Sequence, residues 1–241
     1  MPATTIPYKN SGESKKKQVA VMFDNIAHHY DFLNQLLSFG IHKLWRKKAI
    51  RLIKNHPKRI LDIATGTGDL AIAALNLNPE KIVGIDISEG MLNLGREKIK
   101  RKKLENKIEL MNADSENLPF ADHSFDAAIA GFGVRNFENL EKGLSEMYRV
   151  LNTGGVISIL EFSKPRGFPI KQLYYFYFTR ITPLLGKLFS RDSSAYSYLP
   201  ESVQAFPDGN DFLNILEKIG YRNTSCHSLS FEIATIYTAE K

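Results

Sequence analysis

Two groups of residues in this 241-residue chain have the types and spacing to do chemistry. The first is Gly66-Thr67-Gly68-Asp69, preceded by the apolar run 60–64 with a single acid, Asp62, inside it, and followed at once by the amphipathic stretch 70–77. That order reads as strand, tight loop and helix N-terminus. It turns backbone N–H groups and the positive end of a helix dipole toward a ligand. Gly66 and Gly68 suit a loop with unusual dihedrals, or one that a ligand approaches closely. The second group is acidic: Asp86 ends the next apolar run, and Asp114-Ser115 follow the one after it. A carboxylate at Asp86 can accept both hydroxyls of an adenosine ribose. Asp114 can accept from an adenine amino group while Ser115 or a neighbouring backbone N–H serves a ring acceptor.

The glycines alone leave the ligand open, since nucleotide, dinucleotide and S-adenosylmethionine sites all begin this way. Residues 66–71 also match the looser dinucleotide pattern G-x-G-x-x-A. Asp62 helps to separate them, because an acid beside a pyrophosphate repels it, whereas it suits a cationic aminoacyl group. Asp62 could equally order the loop through backbone N–H groups. Together with Asp114 and the pattern of the C-terminus, it favours S-adenosylmethionine.

The elements that must position these residues alternate from residue 58 onward. Strands are expected at 59–64, 81–85, 108–111, 125–130 and 156–161, and helices at 70–77, 91–103 and 140–151, with Ser88 as an N-cap and 152–155 as a helix stop. A helix at 211–219 stops at Gly220, and two extended runs, 221–229 and 231–239, read as an antiparallel hairpin on the edge of the sheet. The expected fold is α/β: a doubly wound seven-stranded sheet, mostly parallel with a C-terminal antiparallel hairpin, and helices on both faces. Helices at 20–31 and 44–54 precede the first strand. We expect a flexible N-terminus over 1–17 and a single domain over 18–241. Its parts are a helical preface or lid at 18–57, a cofactor-binding core at 58–162, a substrate-side insertion at 163–208, and a C-terminal helix and hairpin at 209–241.

Hydrophobic residues make up 43% and charged residues 24%, ordinary for a globular enzyme, and the net charge of +6 permits attraction to anionic surfaces without establishing it. The lone Cys226 excludes an internal disulfide and a cysteine-cluster metal site, which fits a reducing cytoplasm. The N-terminus lacks the apolar core of a signal peptide. The segment 170–190 is rich in aromatic residues at 174–178, but Lys171, Arg180 and Lys187 interrupt it and Pro183 would break a helix. It is not a transmembrane span. It could pack on the core, cover an apolar substrate or touch a bilayer surface. The charges from Arg96 to Lys107 read as a solvated helix face; a nucleic-acid site would interleave them with aromatics.

The glycine loop, Asp86, the 112–120 segment and the terminal hairpin resemble the class I methyltransferases. Two longer stretches narrow the likeness: Tyr30-Asp31-Phe32-Leu33-Asn34 through Ser38-Phe39-Gly40-Ile41-His42 with Trp45-Arg46, and Arg135-Asn136-Phe137 with Met147-Tyr148-Arg149-Val150-Leu151 and Gly154-Gly155. Both resemble the signatures of the menaquinone/ubiquinone-biosynthesis C-methyltransferases, and the likeness runs from about residue 19 to the C-terminus. It implies that Thr67, Asp86, Asp114 and Ser115 contact S-adenosylmethionine, beside Gly66, Gly68 and Asp62 of the loop. The sequence departs from some members at Gly131, where they carry a serine.

The same resemblance implies methylation of a ring carbon of a prenylated hydroquinone, foremost demethylmenaquinol, with the ubiquinone precursor as the alternative. No metal is required, because the methyl sulfonium is already electrophilic. Arg135 is the first candidate for the chemistry, stabilising a developing phenolate, or else a salt bridge that closes the loop after the fourth strand. Asn136 or Arg135 could hold a water that removes the proton. Tyr30 is expected to line the hydroquinone cavity or to staple the preface helix, and Trp45 to pack. His28, His29 and His42 are candidate bases, since imidazole titrates near pH 6.5. Asp31 and Arg46 are expected to pair. Expected partners are the prenylated hydroquinone and, at most peripherally, the inner face of the cytoplasmic membrane; self-association is allowed and no nucleic acid is expected. An NAD-dependent oxidoreductase, resting only on G-x-G-x-x-A and Asp86, is the competing class.

Overall fold

The strands are β1 (Arg59–Ile63), β2 (Lys81–Asp86), β3 (Ile108–Asn112), β4 (Phe125–Gly131), β5 (Leu151–Phe162), β6 (Arg222–Leu229) and β7 (Ala234–Glu240). In the computed structural model, which describes residues 5–181 and 194–241, they form one sheet in the order β3-β2-β1-β4-β5-β7-β6. The first five strands run parallel, and β7 is antiparallel to both β5 and β6. The C-terminal hairpin therefore forms at the edge of the sheet as expected, with β7 between β5 and β6 and β6 outermost. Burial explains the order. Ala234, Thr235, Ile236 and Tyr237 are buried, whereas most of β6, Arg222-Asn223-Thr224-Ser225-Cys226-His227-Ser228-Leu229, is polar and accessible to water.

The described helices are α1 (Lys15–Leu37), α2 (Ile41–Arg51), α3 (Asp69–Ala74), α4 (Glu89–Arg101), α5 (Leu140–Val150), α6 (Ile170–Phe176), α7 (Ser194–Ala205) and α8 (Asn210–Ile219). Strand periodicity divides their packing. Leu61, Ile63, Val83, Ile85, Ala128 and Ala130 point to the face covered by α5 and α8, where Leu144, Met147, Phe212 and Leu216 meet them. Ile60, Ile82, Ala127 and Ile129 point the other way, against Ile50, Leu70, Ala74 and Leu92 of α2, α3 and α4. Each fully buried Leu, Ile, Met or Phe among them contributes about 1.5–3 kcal/mol of hydrophobic stabilisation.

Three local readings change. First, α1 extends five residues earlier and six later than the expected helix over 20–31. Ser14 Oγ caps its start by accepting from Lys17 N–H, and no left-handed glycine interrupts the chain until Gly40 (φ 78). Part of the stretch expected to be flexible is thereby tied down, with Tyr8 N–H also donating to Gln18 Oε1 at 2.9 Å. Second, residues 152–155 do not separate helix from strand. β5 already begins at Leu151, opposite Phe125, and a register shift before the Ala127–Val156 pair absorbs the two glycines. Third, a helix, α7, lies in what was read only as an insertion. Its inner face buries Ala195 and Tyr198 against Val19, Met22 and Ile26 of α1. Of the aromatic segment 170–190, the part beyond Ile181, including Pro183, lies outside the described residues. Among the described residues, no helix is long and apolar enough to cross a membrane.

Candidate active site

Chain order reverses between β1 and β4, and open α/β sheets bind ligands at the carboxyl ends of the strands flanking that reversal. Two turns meet there. After β1, Ala64 (φ 53), Gly66 (φ 56) and Gly68 (φ 79) take left-handed conformations, and Gly68 opens α3. After β4, Phe132 (φ 60) does the same. Left-handed Ala64 and Phe132 each cost on the order of 1–3 kcal/mol, strain characteristic of sites that hold ligands. The turns touch: a Cβ on Gly133 would lie 2.4 Å from Ala64 Cβ, so no side chain fits there.

Asp86 fastens the first turn from the end of β2. Its Oδ2 accepts from Gly66 N–H at 2.8 Å and its Oδ1 from Ser88 N–H at 2.9 Å. Burial pushes its pKa up, opposed by these backbone hydrogen bonds. Gly66, Asp86, Asp114, Ser115, Gly131 and Asn136 all line one cavity beside this turn. Four expected cofactor residues and Asn136 are thus brought together. Among the described residues, Asn136 Oδ1 is buried without a partner, and Asn136 lines a cavity that could supply a donor. The absence of a serine at Gly131 also has a local reason, since a Cβ there would meet Leu70 Cδ2 at 3.2 Å.

This cavity holds only about 60 Å³, whereas small-molecule sites run to about 300–1,000 Å³. The first turn of α1 lies across it. Lys16 Nζ is 2.6 Å from Asp114 Oδ2 and 3.4 Å from Glu116 Oε2, and Lys15 Nζ donates to the Arg135 and Phe137 carbonyls at 3.2 and 2.8 Å. Burial, with the nearby Arg135 charge adding to it, lowers Lys15 to about 8. Sequence reasoning missed both lysines, because a Lys15-Lys16-Lys17 run has the composition of a solvated tail.

Three expected cofactor residues do not line this cavity. Asp62 is wholly buried beneath the turn, where its Oδ2 accepts from Thr65 Oγ1 at 2.6 Å. Burial raises it to about 7. Gly68 starts α3 behind the wall, and Thr67 Oγ1 donates to Asp31 Oδ1 at 2.7 Å while accepting from Lys98 Nζ at 2.8 Å. The expected Asp31–Arg46 pair does not form. Asp31 pairs with Lys98 at 2.6 Å, and Arg46 with Asp69 at 2.6 Å, so both preface helices are fastened to the glycine turn and α4 instead of to each other. Lys98 and Arg96, which pairs with Glu89 at 2.5 Å, are drawn from the basic stretch into internal contacts.

A second cavity, of about 1,010 Å³, opens between α1, α2, α6 and α7 and is lined mainly by apolar and aromatic side chains, among them Ile26, Trp45, Leu173, Tyr174 and Tyr198. Phe23, Tyr30 and Phe132 line both cavities and form the wall between them. Trp45 packs on Phe132 (ring centroids 6.2 Å apart) and donates to Ser230 Oγ at 2.9 Å, so it both packs and faces the cavity. The three histidines separate. His28 and His29 are exposed on α1 and line neither cavity, which removes them as bases for chemistry there. His42 does line it; burial, with Arg46 adding to it, lowers its pKa to about 4, and its Nδ1 is hydrogen-bonded to Ser38 Oγ.

Arg135 faces this larger cavity and is also one half of a buried ion pair. Its Nη1 lies 2.9 Å from Glu161 Oε1, with side-chain exposures of 7% and 0%. Nη1 also donates to the Phe132 carbonyl, Nε to Ser202 Oγ at 3.3 Å, and the guanidinium lies 5.5 Å from the centre of the Phe162 ring. Burial raises the Glu161 pKa, opposed by Arg135. The loop-closing salt bridge is therefore real, and the same guanidinium lines the cavity. Glu161 was missed because a single acid at the end of an apolar strand gives no sign of the arginine it meets from another loop. Among the described residues no group of three His, Cys, Asp or Glu is arranged to hold a metal ion.

The family described as the ubiE/COQ5 methyltransferase family matches residues 11–241. A demethylmenaquinone methyltransferase of Bacteroides fragilis is 52% identical over 237 residues, covering 98% of this chain and 96% of that one. A ubiquinone/menaquinone biosynthesis C-methyltransferase of Geotalea daltonii is 48% identical over 230 residues, covering 94% and 97%. Among solved structures, a SAM-dependent methyltransferase of Thermotoga maritima, a possible histamine N-methyltransferase, superposes with a TM-score of 0.65 at 17% identity, covering 92% of this chain and 99% of that one. At that identity the likeness concerns the fold alone.

Proposed function

The chain belongs to the ubiE/COQ5 methyltransferase family, and from that premise we propose that it transfers the methyl group of S-adenosylmethionine to a ring carbon of a prenylated hydroquinone, demethylmenaquinol foremost. The observation that carries this reading is the pair of cavities with one wall. A small cavity at the glycine turn, lined in part by Asp86, Asp114 and Asn136, and a wide, mainly apolar one beside Arg135 share Phe23, Tyr30 and Phe132. The ubiquinone precursor is the alternative acceptor, in keeping with the relative whose name covers both quinones.

The residues of the small cavity suit S-adenosylmethionine. Asp86 can accept from the ribose hydroxyls with lone pairs left over from Gly66 and Ser88 N–H, Asp114 can accept from the adenine amine once Lys16 moves aside, and the unpartnered Asn136 Oδ1 suits an ammonium or a water. When bound, S-adenosylmethionine supplies an electrophilic methyl on sulfur. Asp62 and Thr67 support this site from behind by ordering the turn and tying it to α1.

The wide cavity suits the acceptor. Its apolar lining excludes water from a prenyl chain, and the aromatic wall fixes the ring plane toward the small cavity. Fixed alignment of two reacting groups removes up to about 7–11 kcal/mol of barrier. A phenol with pKa about 10 must lose its proton before its ring carbon becomes a good nucleophile. Arg135 is always protonated, so it stabilises the phenolate oxygen instead of taking the proton. The phenolic proton would pass to water; the ring carbon would then bond to the methyl as the sulfur–methyl bond breaks, leaving S-adenosylhomocysteine, and the ring C–H proton would pass to water as aromaticity returns. Only the reduced ring is electron-rich enough.

Transfer of labelled methyl from S-adenosylmethionine to demethylmenaquinol tests the reading. Methylated menaquinol should accumulate, and the oxidised quinone should give none. Tight binding of NAD together with no labelled product would remove it.

A further inference from the structure

One buried polar group in the wide cavity has no role in this account. Tyr198 lies on the inner face of α7, 2% exposed, and packs with Val19, Met22, Ile26 and Ala195, all apolar. A phenylalanine would fill that position equally well. Yet Tyr198 lines the cavity, and among the described residues its Oη has no hydrogen-bond partner. Buried tyrosine hydroxyls ordinarily have one, and a buried donor left without a partner is destabilising, so the group calls for a ligand that completes it.

The surroundings indicate which kind. One turn beyond Tyr198, Ser202 Oγ accepts from Arg135 Nε at 3.3 Å and donates to the Leu199 carbonyl at 2.8 Å. α7 therefore brings the phenol and the guanidinium to the same end of the cavity. The charges that act on Tyr198 are those of Arg135 and Glu161, and burial pushes its pKa up to about 12. The phenol thus stays protonated and is a hydrogen-bond donor at neutral pH, not a base. A neutral donor near a fixed cation, in a mainly apolar cavity, is complementary to an aryl oxygen carrying developing negative charge.

We propose that Tyr198 is a further catalytic residue, donating a hydrogen bond from Oη to a ring oxygen of the bound aryl hydroquinone. This rests on the hydroquinone reading of the site, and it adds a donor that holds the ring and favours its ionised form. Arg135 is already engaged by Glu161, so its charge is partly compensated, and a second donor on the oxygen supplies what the ion pair withholds.

The test is Tyr198→Phe, which removes one oxygen that has no partner among the described residues; it should leave S-adenosylmethionine affinity unchanged and the melting temperature of the free protein unchanged or slightly higher. Binding is measured by quenching of Trp45, the only tryptophan, which faces the same cavity. Parent protein should bind 1,4-dihydroxynaphthalene more tightly than naphthalene, and Tyr198→Phe should lose about tenfold of that preference. With demethylmenaquinol, kcat should fall about 10- to 100-fold while KM changes less, and the rise of kcat with pH should move to higher pH. Unchanged ligand preference, kcat and pH profile in Tyr198→Phe would overturn the proposal. Loss of the preference in the variant, with no methyl transfer by the parent, would uphold phenol recognition and remove the methyl-transfer reading beneath it.

Discussion

The two cavities differ in what holds them together. The small one is bounded by strand ends and backbone: Asp86 accepts from two turn N–H groups, Gly66 and Gly133 sit where side chains do not fit easily, and a lysine from α1 occupies Asp114. The wide one is bounded by side chains of four helices, with Arg135, buried in its pair with Glu161, and Lys43 and Arg46 of α2 as its charged members. On the proposed reading the methyl donor would be gripped by the sheet that folds the domain, and the acceptor by helices packed against it. Changes at the small cavity should therefore disturb binding and folding together. Changes at the wide one should mostly alter turnover, except at the ion pair, where the two effects have to be separated.

The largest effect should come from that pair. Arg135→Ala leaves Glu161 buried and uncompensated, which should cost about 3–5 kcal/mol of stability in denaturant unfolding, and turnover should fall about 100- to 1,000-fold. Replacing both partners, Arg135→Gln with Glu161→Gln, should restore most of the stability and none of the turnover. Recovery of both would reduce Arg135 to a structural role.

Asp62 should produce the next largest effect, through pH. Its folded pKa of about 7 lies above the unfolded value of about 3.9, so ionising it opposes folding. The penalty is absent below about pH 4, grows as pH rises toward 7, and is then constant. Asp62→Asn should gain a few kcal/mol on the parent between pH 4 and 8. A stability difference independent of pH would mean that Asp62 is ionised throughout.

Gly133→Ala should follow, with a Cβ 2.4 Å from Ala64 Cβ forcing the two turns apart. Overpacking of this kind costs about 1–3 kcal/mol, and S-adenosylmethionine affinity measured by calorimetry should weaken with it. Unaltered affinity would separate the turn contact from the cofactor. The smallest effect belongs to Lys16→Ala. Releasing Asp114 from a partly exposed pair worth about 0–1 kcal/mol should tighten S-adenosylmethionine binding a few-fold. Weaker binding would instead make Lys16 part of the site.

The difference between the cavities also sets what could be read from the sequence. Gly66, Asp86, Asp114 and Ser115 were legible because each follows a strand by a fixed number of residues, and the sheet brings strand ends together. The existence of the five parallel strands, though not their order in the sheet, followed from the alternation of apolar runs. The insertion of β7 did not, because it depends on which of two short runs is the more apolar. The wide cavity was legible only in part. Tyr30, Trp45 and Arg135 stood out within long motifs, while Phe132, Glu161 and Tyr198 meet through contacts between segments distant in sequence, with no local pattern to announce them. The expected Asp31–Arg46 pair failed for the same reason: nearer partners, Lys98 and Asp69, arrive from α4 and the glycine turn.

On the proposed function, donor and acceptor occupy separate cavities across the Phe23, Tyr30 and Phe132 wall. Trp45, the only tryptophan, lines the acceptor cavity alone, so its fluorescence reports on that side. Titrating a long-tailed naphthoquinone against protein saturated with S-adenosylhomocysteine should quench Trp45 with undiminished amplitude and with affinity no weaker than in its absence. Loss of the quenching as S-adenosylhomocysteine fills its site would show that the two ligands compete for one cavity, and would contradict the account.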